Sequence, residues 1–321
     1  MARTFKPAAE RADVYTRVTA DIVATLESGQ VGSWSAPWHH SGGGYSRPTN
    51  VKSRKRYRGI NTAVLWATAQ VKGYGEGIWG TYRQWEELGA QVRKGERSTL
   101  VVLWKEMRRR DDEDTGAEDG KARPRLFAKG FNVFNVEQVD GYEVPAASAP
   151  PLLDPALRIR EIDQMLAACG VPLTEGGDQA FYRPAEDRIY MPRFEMFKDA
   201  LYHGGTLAHE LGHSLGAKHR LDRDLTGRFG TQSYAAEELV AEMFASFVMA
   251  DLGLASHPRA DHAAYIASWI ALLKSDSKAI FTAASKAQAA CDYVHAAMGR
   301  TVAQEDGGDE TESSEAVPIA A

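Results

Sequence analysis

Cysteine is nearly absent: the 321 residues hold two, Cys169 and Cys291. Neither sits in a C-x-x-C pair, which excludes a disulfide framework and a cysteine-based zinc site. Two buried thiols in a reducing compartment are the expectation. Long apolar runs are missing as well. No stretch reaches the roughly 20 residues of a membrane helix, and nothing near the N-terminus resembles a secretory leader. The reading is a cytoplasmic protein with no membrane partner. There is no internal repeat, and no recognition-helix pattern of the kind that reads duplex DNA. The rest of the composition, 44% hydrophobic and 25% charged, is that of an ordinary globular chain, long enough for two domains.

The net charge of −5 is unevenly spread. Residues 1–145 carry 23 Lys+Arg against 18 Asp+Glu, and the remainder 15 against 25. A nucleic-acid contact therefore belongs to the first half, if anywhere. Arg47–Arg58 contains six basic residues and no acid. Such a run by itself is often just a solvated loop. Here it lies among aromatics, since six of the seven tryptophans fall in the first 104 residues. Cations attract the phosphate backbone and flat rings stack on unpaired bases. The candidates for contact with single-stranded DNA are Arg54, Lys55, Arg56, Tyr57 and Arg58, with Trp34, Trp38, Trp79 and Trp85 as stacking rings. Trp66 and Trp104 are assigned to the core.

The strongest motif lies in the second half: His209-Glu210-Leu211-Gly212-His213. On a helix, residues i and i+4 share a face, so both imidazoles can reach one metal ion. Glu210 points elsewhere on the helix but stays close enough to take a proton from water at the metal. This is the zinc metallopeptidase arrangement. Apolar neighbours (Leu207, Ala208, Leu211, Leu215) argue against two merely solvated histidines. A third protein ligand is needed, and two candidates compete. His219 completes H-E-x-x-H-x-x-G-x-x-H, with Gly216 to turn the chain. Glu238 lies in a second helical run, Tyr234–Glu242, where Glu242 at i+4 is placed to orient a histidine. Small residues Ala241 and Ala245 there permit close helix packing. Met243 and Met249 fall inside the apolar helix, so no Met-turn is evident and Glu238 is preferred. The cofactor expected is Zn²⁺, with another divalent ion as the alternative.

Periodicity predicts helices at Tyr15–Leu26, Gly59–Val71 and, shorter, Trp79–Leu88, then strands at Thr99–Trp104 and within Leu126–Val139. Arg108–Arg125 reads as a loop, and Val144–Pro155, with four prolines, as a linker. Beyond it come a helix at Leu157–Cys169, a hairpin at 180–191, the metal-motif helix from about Asp199, the acidic helix, and helices at Asp261–Lys274 and Ala279–Met298. The fold class is α+β: an N-terminal α+β domain (1–145), a linker (146–156), a mostly helical domain with a small sheet (157–300), and an acidic, apolar-poor tail (301–321) expected to be disordered.

Taken together, Tyr57-Arg58-Gly59-Ile60-Asn61, Val92-Arg93-Lys94-Gly95-Glu96, His209–His213, His219-Arg220-Leu221 and Tyr234–Glu242 resemble the ArdC-type antirestriction proteins of mobile elements. The resemblance implies an N-terminal domain that binds single-stranded DNA and a C-terminal zincin-like metallopeptidase domain. It places the general base on Glu210. It also favours a third ligand from Glu237 or Glu238 over His219. A DNA-binding domain joined to a peptidase would bring the enzyme to proteins assembled on single-stranded DNA, which are the candidate substrates. The alternative reading is a protein that shields single-stranded DNA without proteolysis, its zincin domain structural or vestigial.

Overall fold

The computed structural model describes residues 14–28, 46–107, 125–145, 155–228, 230–254 and 262–300. The first half opens with helix α1 (Val14–Ser28), then strand β1 (Thr49–Asn50), helix α2 (Gly59–Lys72), strand β2 (Ile78–Gly80), helix α3 (Tyr82–Glu87) and strand β3 (Gln91–Val92). Strands β4 (Thr99–Met107), β5 (Arg125–Asn135) and β6 (Val139–Asp140) complete it. One sheet runs in the order β1-β2-β5-β4, with β1 and β2 parallel and the other pairs antiparallel. Strands β3 and β6 form a separate antiparallel pair.

The second half comprises helix α4 (Pro155–Ala168), strands β7 (Leu173–Glu175), β8 (Phe181–Arg183) and β9 (Arg188–Met191), and helices α5 (Ala200–Ser214), α6 (Gln232–Asp251), α7 (His262–Ser275) and α8 (Ala279–Ala297). The sheet order is β7-β9-β8, with β9 parallel to β7 and antiparallel to β8. The fold class is α+β, as the periodicity predicts.

Two expectations change. Periodicity puts Trp79 at the head of a helix, but it lies in β2, paired with Asn135. The helix starts later because Thr81 and Gln84 form a reciprocal capping box that sets Tyr82 as its first residue. Strand β7 is not predicted, since its three residues show no alternation. The linker 146–156 lies outside the described residues except for its last two, which begin α4. The loop 108–125, except Arg125, and the tail 301–321 likewise lie outside them.

One core joins the two halves. Ile22 of α1 and Trp66 of α2 belong to the same buried cluster as Leu211 of α5, Phe247 of α6 and Ala287 of α8. The Trp66 and Phe247 rings meet at 5.8 Å between centroids. Polar contacts reinforce the joint. Arg47, 3% exposed, reaches Asp251 at 2.9 Å and Gln288 at 2.7 Å, with its guanidinium 4.4 Å above the Phe247 ring. Arg56 pairs with the same Asp251 at 2.8 Å, and Arg58 with Asp292 at 2.6 Å.

Candidate metal centre and basic face

Asp199 caps α5 by accepting from the amides of Leu201 and Tyr202, so the helix carrying H-E-x-x-H starts where the sequence predicts. Thr231 caps α6 in the same way. The two helices pack very closely. A β-carbon on Gly212 would stand 3.2 Å from the Ala241 backbone and 2.9 Å from the Phe244 ring. That contact carries Glu238 up to the two histidines.

The Nε2 atoms of His209 and His213 lie 3.0 Å apart, and each is 3.4 Å from a different oxygen of Glu238. All three ligating atoms fall within 4.8 Å of one another. Two nitrogens about 2.0–2.1 Å from one tetrahedral ion would be roughly 3.4 Å apart, so the spacing suits a shared metal. The donor set of two imidazoles and a carboxylate suits Zn²⁺ and Mn²⁺ alike.

Around these three stand further carboxylates. Glu237 Oε1 is 3.2 Å from His213 Nδ1, and Glu242 Oε2 is 3.2 Å from His209 Nδ1, the latter poorly aligned for a hydrogen bond. Glu237 is itself gripped by Arg223, whose Nε and Nη2 donate to its two oxygens at 3.0 and 2.7 Å. The same Nη2 donates to the Gly212 carbonyl at 2.6 Å. Glu237 thus faces the outer nitrogen of a histidine rather than the point where the other three converge. Burial pushes the His213 imidazole down, but hydrogen bonds to Glu237 and Glu238 outweigh it and raise its pKa to about 10. Burial pushes Glu238 up, and its bonds to His209 and His213 outweigh that too, holding it well below the usual carboxylate range. A metal entering here replaces a proton.

Glu210, 3% exposed, accepts from the backbone amide of Tyr182 on β8 at 2.9 Å. Tyr234 lies at the start of α6, its hydroxyl 3.2 Å from that of Tyr265. Burial first, then Tyr265 and Glu238, push the Tyr234 phenol upward, so it stays protonated. His219 stands apart. It is exposed, and its Nε2 is 3.2 Å from Asp187. Asp187 in turn is held below its usual pKa by Arg220, which donates to both its oxygens at 2.7 and 2.9 Å. His219 is not part of the converging cluster. Sequence reasoning missed Arg223, Tyr182 and Asp187, because charge and spacing say nothing about which loops return to α5.

The basic run is divided by the fold. Residues 50–55 make a tight turn closed by Asn50–Lys55 and Arg54–Asn50 backbone bonds, with Arg54 at φ 60. Arg54 and Lys55 are exposed on it, whereas Arg56 and Arg58 are engaged with Asp251 and Asp292. Tyr57, 8% exposed, is core, with its hydroxyl accepting from Asn50 at 3.2 Å. Trp79 and Trp85 are fully buried, so neither can offer a face to a base. That corrects their assignment as stacking rings. Trp79 packs in one buried cluster with Leu65 and Val133, and Trp85 in another with Val51 and Val139. Trp66, 2% exposed, is core as expected. Trp34 and Trp38 lie outside the described residues.

Comparison with known proteins now places the chain. A family profile described as the N-terminal domain of anti-restriction factor ArdC matches residues 12–134, and one described as zincin-like metallopeptidase matches residues 160–286. The metal-free crystal structure of antirestriction protein ArdC from plasmid R388 is 36% identical, with a TM-score of 0.70 over 91% of this chain and 100% of that one. The chain belongs to the ArdC antirestriction family. The Mn(II)-bound structure of the same R388 protein matches with a TM-score of 0.69 over 89% of this chain and 98% of that one, again at 36% identity. The protein y4eC of Sinorhizobium fredii (strain NBRC 101917 / NGR234) is 50% identical over 286 residues, 88% of this chain and 92% of that one. The DNA primase TraC of Escherichia coli is 37% identical over 298 residues, and the chain spans only 27% of its length. Among the described residues, no helix is long and apolar enough to cross a membrane.

Proposed function

We propose that this protein binds single-stranded DNA through its first half and hydrolyses peptide bonds with a divalent metal held by His209, His213 and Glu238. The observation that carries the reading is the convergence of those three side chains beside a buried Glu210. The residues suit either Zn²⁺ or Mn²⁺, and Zn²⁺ is the first choice for hydrolysis at such a donor set. When bound, the metal supplies a Lewis acid that polarises a carbonyl and acidifies water to a pKa of about 7. Glu210, held in place by the Tyr182 amide, accepts the water's proton and delivers it to the leaving amine. Glu237 holds the outer nitrogen of His213 and fixes its orientation, and Glu242 stands 3.2 Å from the outer nitrogen of His209, placed to do the same once the ring turns toward it. Tyr234, kept neutral beside Glu238, donates to the oxyanion that forms.

The DNA-binding half is proposed from the family's antirestriction role, the kinship with a DNA primase and the exposed cations of the 50–55 turn. Division near residues 145–157, proteins assembled on DNA as substrates, and a cytoplasmic setting complete the proposal. The last accords with two free, buried cysteines. The deciding experiment is Glu210→Gln, assayed for peptide hydrolysis and for protection of incoming DNA from restriction. Hydrolysis should fall by about 10²–10⁴-fold, the usual worth of a general base, with metal content unchanged. Loss of protection in the same variant ties antirestriction to proteolysis. Full protection would instead assign it to shielding of DNA by binding alone.

A further inference from the structure

With Trp79, Trp85 and Tyr57 buried, the stacking surface must lie elsewhere. Among the first-half aromatics whose side chains are described, Tyr82 is the one that is exposed, at 47%. It borders a groove of about 630 Å³ lined also by Gln91, Arg93, Lys94, Phe134 and Asp140. That volume is within the range of about 300–1,000 Å³ common for small-ligand sites. We propose that this groove receives an unpaired nucleobase of single-stranded DNA, stacked on Tyr82, with the adjoining phosphate at Lys94. The proposal rests on the single-strand reading above.

Three features support it. The Tyr82 ring is held in position, with its hydroxyl accepting from Gln91 at 2.8 Å and its edge meeting Phe134 at 6.5 Å and 72°. A ring fixed in advance loses less entropy when a base stacks on it. Second, the two cations of the groove are engaged differently. Arg93 is bound to Glu96 at 3.0 Å and, at 3.6 Å, to the exposed Asp140, while the exposed Lys94 sits at the turn. These carboxylates repel a phosphate, which leaves Lys94 as its site, and accept from N–H groups of a base, the N3–H of thymine included. Third, the groove adjoins the exposed basic turn. Lys52 pairs with Glu87 at the end of α3, and Arg54 donates to Tyr142 two residues beyond Asp140. A strand leaving the groove would meet those cations next. The segment Val92–Glu96, singled out in the sequence without a role, thereby acquires one.

The test is equilibrium binding of a fluorescent oligo-dT and of a duplex to the full chain, with photo-crosslinking from a single 5-iododeoxyuridine. Tyr82→Ala should weaken oligo-dT binding about tenfold, because one stack is removed, without lowering the melting temperature. Tyr82→Phe, which keeps the ring, should remain within about twofold. Lys94→Ala should reduce the salt slope by about 0.7, the share of one phosphate on a single strand. The crosslink should map to the peptide containing Tyr82. Wild-type affinity in Tyr82→Ala with a crosslink elsewhere would overturn the groove and leave the single-strand reading standing. Equal losses in Tyr82→Ala and Tyr82→Phe would overturn stacking. No binding of oligo-dT by the wild type at low salt would overturn the single-strand reading, and this proposal with it.

Discussion

At the residue scale, four carboxylates and three histidines are ranked by where their atoms point. His209, His213 and Glu238 converge, Glu237 and Glu242 face the outer histidine nitrogens, and His219 faces Asp187. Each position predicts a different loss of metal affinity, measurable by competition with a chromophoric chelator. Glu238→Ala should abolish stoichiometric binding, because a ligand is gone. Glu242→Ala and Arg223→Ala should weaken it by about 10–100-fold, the usual cost of removing a group that orients a ligand. His219→Ala should bind like the wild type. Loss of metal in His219→Ala with retention in Glu238→Ala would reverse the assignment. H-E-x-x-H was legible in the sequence because its spacing alone puts two imidazoles on one face. The choice between Glu237 and Glu238 was not, since adjacent residues on a helix differ by only about 100° and the neighbouring helix decides which faces the site.

At the scale of elements, the metal centre depends on how closely α5 approaches α6. Gly212 permits that approach and predicts its own test. Gly212→Ala should gain about 0.5–1 kcal/mol in helix propensity but lose about 1–3 kcal/mol to overpacking against Ala241 and Phe244. The net should be a lower melting temperature together with weaker metal binding, as α5 is pushed away from Glu238. A melting temperature at or above wild type would show that the interface has room. The long helices were readable because apolar spacing and caps agree: Asp199 caps α5 and Thr231 caps α6. The short strands were harder. Trp79 enters a sheet through its partner Asn135, 56 residues away in sequence, and no local pattern encodes that pairing. The same blindness made Trp79 and Trp85 look like stacking rings, since a sequence shows an aromatic but not which side of a sheet covers it.

At the scale of the molecule, the two halves are held together by the basic run that charge counting assigns to DNA. Asp251, near the end of α6, is met by Arg47 at 2.9 Å, Arg56 at 2.8 Å and His295 at 3.6 Å, with the Cys291 thiol alongside Arg47. Burial raises the Asp251 carboxyl, but Arg47, His295 and Arg56 outweigh it and hold it below its usual value. The sign of the linkage follows. A depressed folded pKa gives stability that is present above the unfolded value, about 3.9, and lost as pH falls through the folded one. Asp251→Asn should therefore be less stable than wild type at pH 7, by about 3–5 kcal/mol, because Arg47 is left buried without its counter-charge. The gap should close as the pH is lowered below about 4. Arg56, half exposed, should contribute little when replaced by Ala, about 0–1 kcal/mol. Thermal unfolding of the three proteins from pH 7 to pH 3 measures this. A gap independent of pH would mean that Asp251 holds the halves together by packing rather than charge. The shared core also requires DNA titrations on the full chain, since a cut near residue 145 would expose Trp66 and the Val102 edge of β4 to water. In such titrations Arg54→Ala and Lys55→Ala should flatten the salt dependence of single-strand binding, by about 0.7 in slope for each phosphate no longer neutralised. Arg58→Ala should act chiefly on melting temperature, because its guanidinium is already bound to Asp292.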